Sequence, residues 1–136
     1  MSKPGLSVMI ERINPDTLHK NPAFTQVAVV AAAAKLVYVG GQNGVLPNGE
    51  LVNEDVAAQS AQAMQNVIYA LEAAGATLAD VFKMTIYIVQ GQSLQAAYAA
   101  SQALQQMAPP IVTVILVAGL ARPGALVEIE AVAAIK

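Results

Sequence analysis

Apolar and polar positions along this chain switch between two periods, and the switches mark its elements. Residues 8–13 form a short strand candidate that stops at Asn14-Pro15. The polar, proline-broken stretch around His19 to Pro22 reads as a loop. Val27–Val30 and residues 36–39 are β-rich runs, with Ala31 to Ala34 blurring the border between them. Gly40-Gly41 ends the second run, and Pro47-Asn48-Gly49 marks a turn. The spacing then becomes helical. Val56, Met64, Val67, Ile68 and Leu71 recur along one side, while Gln59, Gln62, Gln65 and Glu72 fall largely elsewhere. Asn53 is the expected cap, Glu54 and Asp55 supply acid to the first turn, and Gly75 is placed to close the helix in a left-handed conformation.

Val81–Val89 alternates as a strand does and is rich in Ile, Tyr and Thr. Ser93 opens a second helix, with Leu94, Tyr98, Ser101 and Leu104 expected along one side, and Pro109-Pro110 stops it. Ile111–Val117 is an unbroken β-branched run, which fits a strand covered on both faces. Arg122-Pro123-Gly124 turns the chain into a last strand over residues 126–133. Strand, helix and strand across residues 81–117 give enough length for a parallel crossover. The pattern predicts one α+β domain over residues 1–136, a mixed sheet with two helices on one face.

Composition adds a constraint on the other face. The chain has 136 residues, of which 56% are hydrophobic and only 12% charged, against a usual charged share of roughly 25%. A domain this small has much surface for its volume, so so few charges leave apolar area facing water. The expectation is burial of that area against copies of the same chain, a homo-oligomer.

The same arithmetic excludes chemistries. With no cysteine there is no disulfide, thiol nucleophile or cysteine-based zinc site, and His19, the only histidine, cannot build a metal cluster alone. No metal and no cofactor are expected. Seven basic residues against nine acidic ones form no track for phosphates, so no nucleic-acid partner is expected. The apolar runs near residues 27–34 and 111–121 are broken by Lys35 and Arg122 before they reach bilayer length. Residues 1–13 carry Lys3, Glu11 and Arg12 and lack the apolar core of a signal peptide. No membrane association and a cytoplasmic location are the resulting expectations.

Several segments, taken in order, resemble the reactive intermediate deaminase (RidA/YjgF) family: Phe24-Thr25-Gln26, Gly40-Gly41-Gln42, Glu72-Ala73-Ala74-Gly75 with Asp80-Val81 and Lys83, and Val127-Glu128-Ile129-Glu130-Ala131. The resemblance covers nearly the whole chain. It implies a chorismate-mutase-like fold, a homotrimer with inner sheets packed together, and pockets for a small organic ligand between subunits. In deaminating members an arginine near the start of the penultimate strand grips the substrate carboxylate. Aligning Pro110 and Val117-Ala118 puts Val112 at that position, and Ile111, Thr113, Val114 and Ile115 are not arginine either. Arg122, in the following turn, is a poor substitute by position.

The resemblance also implies a site. Glu128 stands where deaminases carry a glutamate that positions or activates water, as a metal-free acid or base. Gly41 would give a close backbone approach, and Phe24, Val112 and Thr113 would line the pocket. Each has a plain structural alternative: Gly41 ending a strand, Phe24 in the core or an interface, Glu128 and Glu130 as two carboxylates on one strand face, and Val112 and Thr113 in a packed inner sheet. Three function classes stand side by side. They are a deaminase-like hydrolase of an enamine or imine without the usual grip, a trimer that binds a small apolar or neutral ligand or a partner protein without chemistry, and a ribonuclease or translation inhibitor. The last fits badly, since neither a basic track nor a histidine pair is present.

Overall fold

The structure is a computed structural model, and it describes residues 9–102 and 108–136. Strands β1 (Ile10–Ile13) and β2 (Val27–Val30) pair as an antiparallel ribbon. A four-stranded sheet is built from β3 (Lys35–Gln42), β4 (Val81–Val89), β5 (Ile111–Val117) and β6 (Val127–Ile135), in the order β3-β6-β4-β5. β4 and β5 run parallel and the other neighbours antiparallel, so the expected mixed sheet with a crossover is present. The crossover carries α2 (Leu94–Gln102), and α1 (Val56–Ala73) lies across β6 and β3 on the same side.

Helix α1 follows its apolar stripe. Met64, Val67 and Leu71 are fully buried against Val81, Ile129 and Ala133 in one cluster, each side chain contributing about 1.5–3 kcal/mol by leaving water. Its start differs from expectation. The cap is Asp55, whose carboxylate accepts from the Ala58 N–H at 3.1 Å, and Asn53 lies outside the helix and accepts from the Asp55 N–H at 2.8 Å. Glu54 and Asp55 therefore precede the first turn and leave it without acid. Gly75 closes the helix with φ +79°, as its position predicts.

Gln59 is the larger departure. It is fully buried although its spacing put it among the polar residues. Its amide donates to the carbonyls of Asn53 (2.8 Å) and Gly124 (3.1 Å), and its oxygen accepts from the Leu126 N–H (2.8 Å). One side chain thus ties the start of α1 to the turn that feeds β6. Periodicity could not find it, because a buried amide with all its partners behaves like a core residue.

Helix α2 opens as expected, with the Ala96 N–H bonded to Ser93 Oγ at 3.0 Å. Its inward positions are Ala97 and Ser101, while Leu94 and Tyr98 stand at the rim, each 45% exposed. Leu104 lies outside the described residues. α2 leans on α1, and its small inward side chains leave room above β4 and β5. β5 is an edge strand with Val114, Ile115 and Leu116 exposed, so the continuous apolar run does not mean cover on both faces within one chain.

Among the described residues no helix is long and apolar enough to cross a membrane. Replacing Gln59 with Leu removes three hydrogen bonds, to the Asn53 and Gly124 carbonyls and from the Leu126 N–H. It is expected to lower stability by about 3 kcal/mol, since each hydrogen bond contributes roughly 0.5–1.5 kcal/mol. Asp55→Ala, which removes only a cap, is expected to cost about 1 kcal/mol. Urea unfolding measures both, and a Gln59→Leu chain as stable as the parent would contradict the assignment.

Candidate functional site

The pleat of the sheet decides where each expected site residue goes, because neighbours along a strand point to opposite faces. On β6, Val127, Ile129 and Ala131 enter the core beneath the helices, and Glu128 and Glu130 project from the other, open face. Register carries the alternation across the sheet. Glu128 lies opposite Tyr87 and Glu130 opposite Thr85, while Thr85 and Tyr87 pair with Thr113 and Ile115 on β5. The open face therefore gathers Glu128, Glu130, Tyr87, Thr85 and Thr113.

Gly41 joins them from β3. The strand is irregular between Val39 and Gln42, which brings the Gly41 backbone under the Glu128 side chain. A Cβ at this glycine would overlap the Glu128 carboxylate where it now lies, so glycine leaves open the space that the carboxylate occupies.

Glu128 is also held from the helix side. Asn43 Nδ2 donates to the Val127 carbonyl at 2.9 Å and reaches Glu128 Oε1 at 3.4 Å. Asn66 on α1 donates to the Asn43 and Val45 carbonyls at 3.1 and 2.8 Å, and Gln62 donates to Asn66 Oδ1 at 2.9 Å. This relay of amides links the middle of α1 to the carboxylate.

Tyr87 stands between the two glutamates. Its hydroxyl donates to Glu130 Oε1 across a long 3.5 Å contact. Desolvation raises its pKa, and the charge of Glu130, the hydrogen bond to it and the charge of Glu128 raise it further. Tyr87 accordingly remains a neutral hydroxyl donor at physiological pH. The ion pair among the described residues is Lys20–Asp16, so neither glutamate has a cationic partner there. No group of three potential metal ligands occurs among those residues.

Phe24 and Val112 are on the far side of the sheet. Thr25 anchors their neighbourhood: its N–H donates to the Pro110 carbonyl at 2.9 Å and its hydroxyl to the Pro109 carbonyl at 2.5 Å. This sets Phe24 beside the start of β5, where Val112 pairs with Met84 and faces the helices. His19 packs edge-on against Phe24, with ring centroids 5.9 Å apart. Phe24 and Val112 share the wall of an apolar cavity of about 280 Å³ beneath α2, with Met84, Ile86, Ala97 and Ser60.

The five expected site residues thus form two sets. Glu128, Gly41 and Thr113 share the open face, Phe24 and Val112 the cavity, and a layer of backbone separates them. Asn43 and Tyr87 were not singled out from the sequence as partners of Glu128, nor Thr85 as the residue opposite Glu130. Period-two alternation marks which residues share a face of one strand, but only register brings Tyr87 opposite Glu128.

Residues 16–135 match the protein family described as Endoribonuclease L-PSP. A solved Yersinia pestis protein of the conserved Rid family, YyfB, described as of unknown function, is 30% identical over 94% of this chain and 100% of its own, with a TM-score of 0.83. The YjgF gene product of E. coli is 30% identical over 79% of this chain and 85% of its own, with a TM-score of 0.69. E. coli TdcF, solved with bound serine, is 28% identical over 79% and 85%, also with a TM-score of 0.69. A RutC family protein of Pyrococcus horikoshii is 39% identical over 57 residues, a match that spans 41% of this chain and 45% of the relative. The shared sheet, the two helices on it and a family match running through nearly the whole chain place this protein in the endoribonuclease L-PSP family, the RidA/YjgF proteins.

Proposed function

We propose that this chain acts as a homotrimer with small-molecule pockets between subunits, and that it is not an ordinary 2-imino acid deaminase. The observation that carries the reading is the division of the expected site residues by the sheet. Glu128 and Val112 cannot line one pocket within a chain, so a pocket using both needs a second copy. The open face supports such packing. Tyr38 is 73% exposed, Leu36 and Ile115 are exposed too, and few charges accompany them. A covered apolar face of this kind is common in obligate oligomers.

Val112 sets the ligand class. A guanidinium offers a carboxylate two parallel charge-assisted bonds, each worth roughly 1.5–3 kcal/mol. Valine offers none, and each 1.4 kcal/mol lost is about tenfold in affinity. TdcF is described with serine bound. A carboxylate-bearing ligand of that sort would meet an apolar wall here.

A second reading keeps chemistry, and the seating of Glu128 favours it. Its carboxylate rests over Gly41 and is contacted by Asn43, an arrangement suited to orienting water. Water would add to the carbon of an enamine-derived imine, and ammonia would leave to give the carbonyl product. Such a substrate would lack the carboxylate that arginine normally holds.

Light scattering is expected to give three times the 14.0 kDa chain mass, and Ile115→Lys to shift it to the monomer; a parent chain that is monomeric at micromolar concentration would contradict the assembly. Imines made in situ from several amino acids by an oxidase are expected to hydrolyse at the background rate with the parent chain. Acceleration by the parent would overturn the reading and make Glu128→Gln the next variant. Gain of activity in Val112→Arg alone is the result that supports an intact pocket retuned away from carboxylates.

A further inference from the structure

We propose that the cavity beneath α2 is a binding site within each subunit for a small, neutral, largely apolar molecule bearing one hydrogen-bonding atom. It shares its Phe24 and Val112 wall with the pocket proposed above, whose ligand class it deepens, but extends inward from there to Ser60 on α1.

Three observations carry this. The first is how the space arises. α2 presents Ala97 and Ser101 to the sheet, while β4 and β5 answer with Met84, Ile86, Val112 and Val114. Among the described residues, small side chains facing large ones leave about 280 Å³ between them. An engineered cavity of roughly 150 Å³ lined by Leu, Ile and Phe stays dry and takes benzene, so this one suits a fused two-ring molecule.

The second is Ser60. Its hydroxyl is buried on α1, with the residue 1% exposed, lines the cavity and has no hydrogen-bond partner. The other small polar residue of the wall, Ser101, is already satisfied, donating to the Ala97 carbonyl at 2.6 Å. Buried hydroxyls normally have partners, and an unpaired one inside an apolar wall is an open position for a ligand atom.

The third is charge. No Asp, Glu, Lys, Arg or His lines the cavity among the described residues. An ionic ligand would leave its charge buried and unpaired, which apolar surroundings oppose strongly. Neutral molecules are selected on that ground alone.

The test uses 2-naphthol, with 2-naphthoate and naphthalene as charged and unanchored analogues, in calorimetric titrations of the full chain. One 2-naphthol per chain is expected, with 2-naphthoate at least tenfold weaker. Ser60→Ala is expected to weaken 2-naphthol three- to tenfold and leave naphthalene unchanged. Ala97→Leu, which fills the space, is expected to weaken both at least tenfold while keeping the parent circular dichroism. Should Ala97→Leu fail to fold, methyl NMR of the parent chain decides, with 2-naphthol expected to shift Ile86, Val112 and Val114 and to spare Ile115. No saturable binding, equal binding of 2-naphthoate, or shifts confined to the open face would overturn the proposal. None of these readouts involves imine hydrolysis or subunit number, so this proposal and the preceding one fail separately.

Discussion

Everything in this fold depends on a two-residue alternation carried through four paired strands. Residues next to one another in sequence, such as Val112 and Thr113 or Glu128 and Ile129, are separated by the thickness of the sheet. One face is closed by α1 and α2 around Met64, Val67 and Leu71. The other carries two carboxylates, a tyrosine, two threonines and exposed apolar side chains. Core, cavity and candidate chemistry follow from which face each residue takes.

The devices that lock this arrangement are polar. Gln59 joins the start of α1 to the turn before β6 through three hydrogen bonds. Thr25 docks the Phe24 loop onto the carbonyls that precede β5. Asn43 and Asn66 link α1 to the strand that bears Glu128. A chain poor in charge thus relies on amides and hydroxyls for specific connections, and those of Thr25 and Asn43 adjoin Phe24 and Glu128 of the candidate site.

Much of this was legible in the sequence. Strand runs, both helices, the parallel crossover and the glycine that ends α1 follow from periodicity and turn chemistry. The cap shifted from Asn53 to Asp55 because each can accept from a backbone N–H near the helix start, and only geometry chooses. Ile111–Val117 read as doubly covered because an unbroken apolar run does not distinguish burial within the chain from burial between chains. Gln59 was misplaced because composition records its polarity and not its partners. The tie between Gly41 and Glu128 depended on an irregular pairing of β3 that spacing does not encode.

The central claim is that the two separated sets meet between copies, and the chain's lack of cysteine makes a direct measurement possible. Phe24→Cys and Glu128→Cys chains would be mixed, reassembled and treated with a short bifunctional thiol reagent. The account predicts a cross-linked pair containing one chain of each kind, formed in the mixture and absent from either variant alone. An assembled oligomer that yields no mixed pair would show that the two sets do not face each other, and would contradict the account.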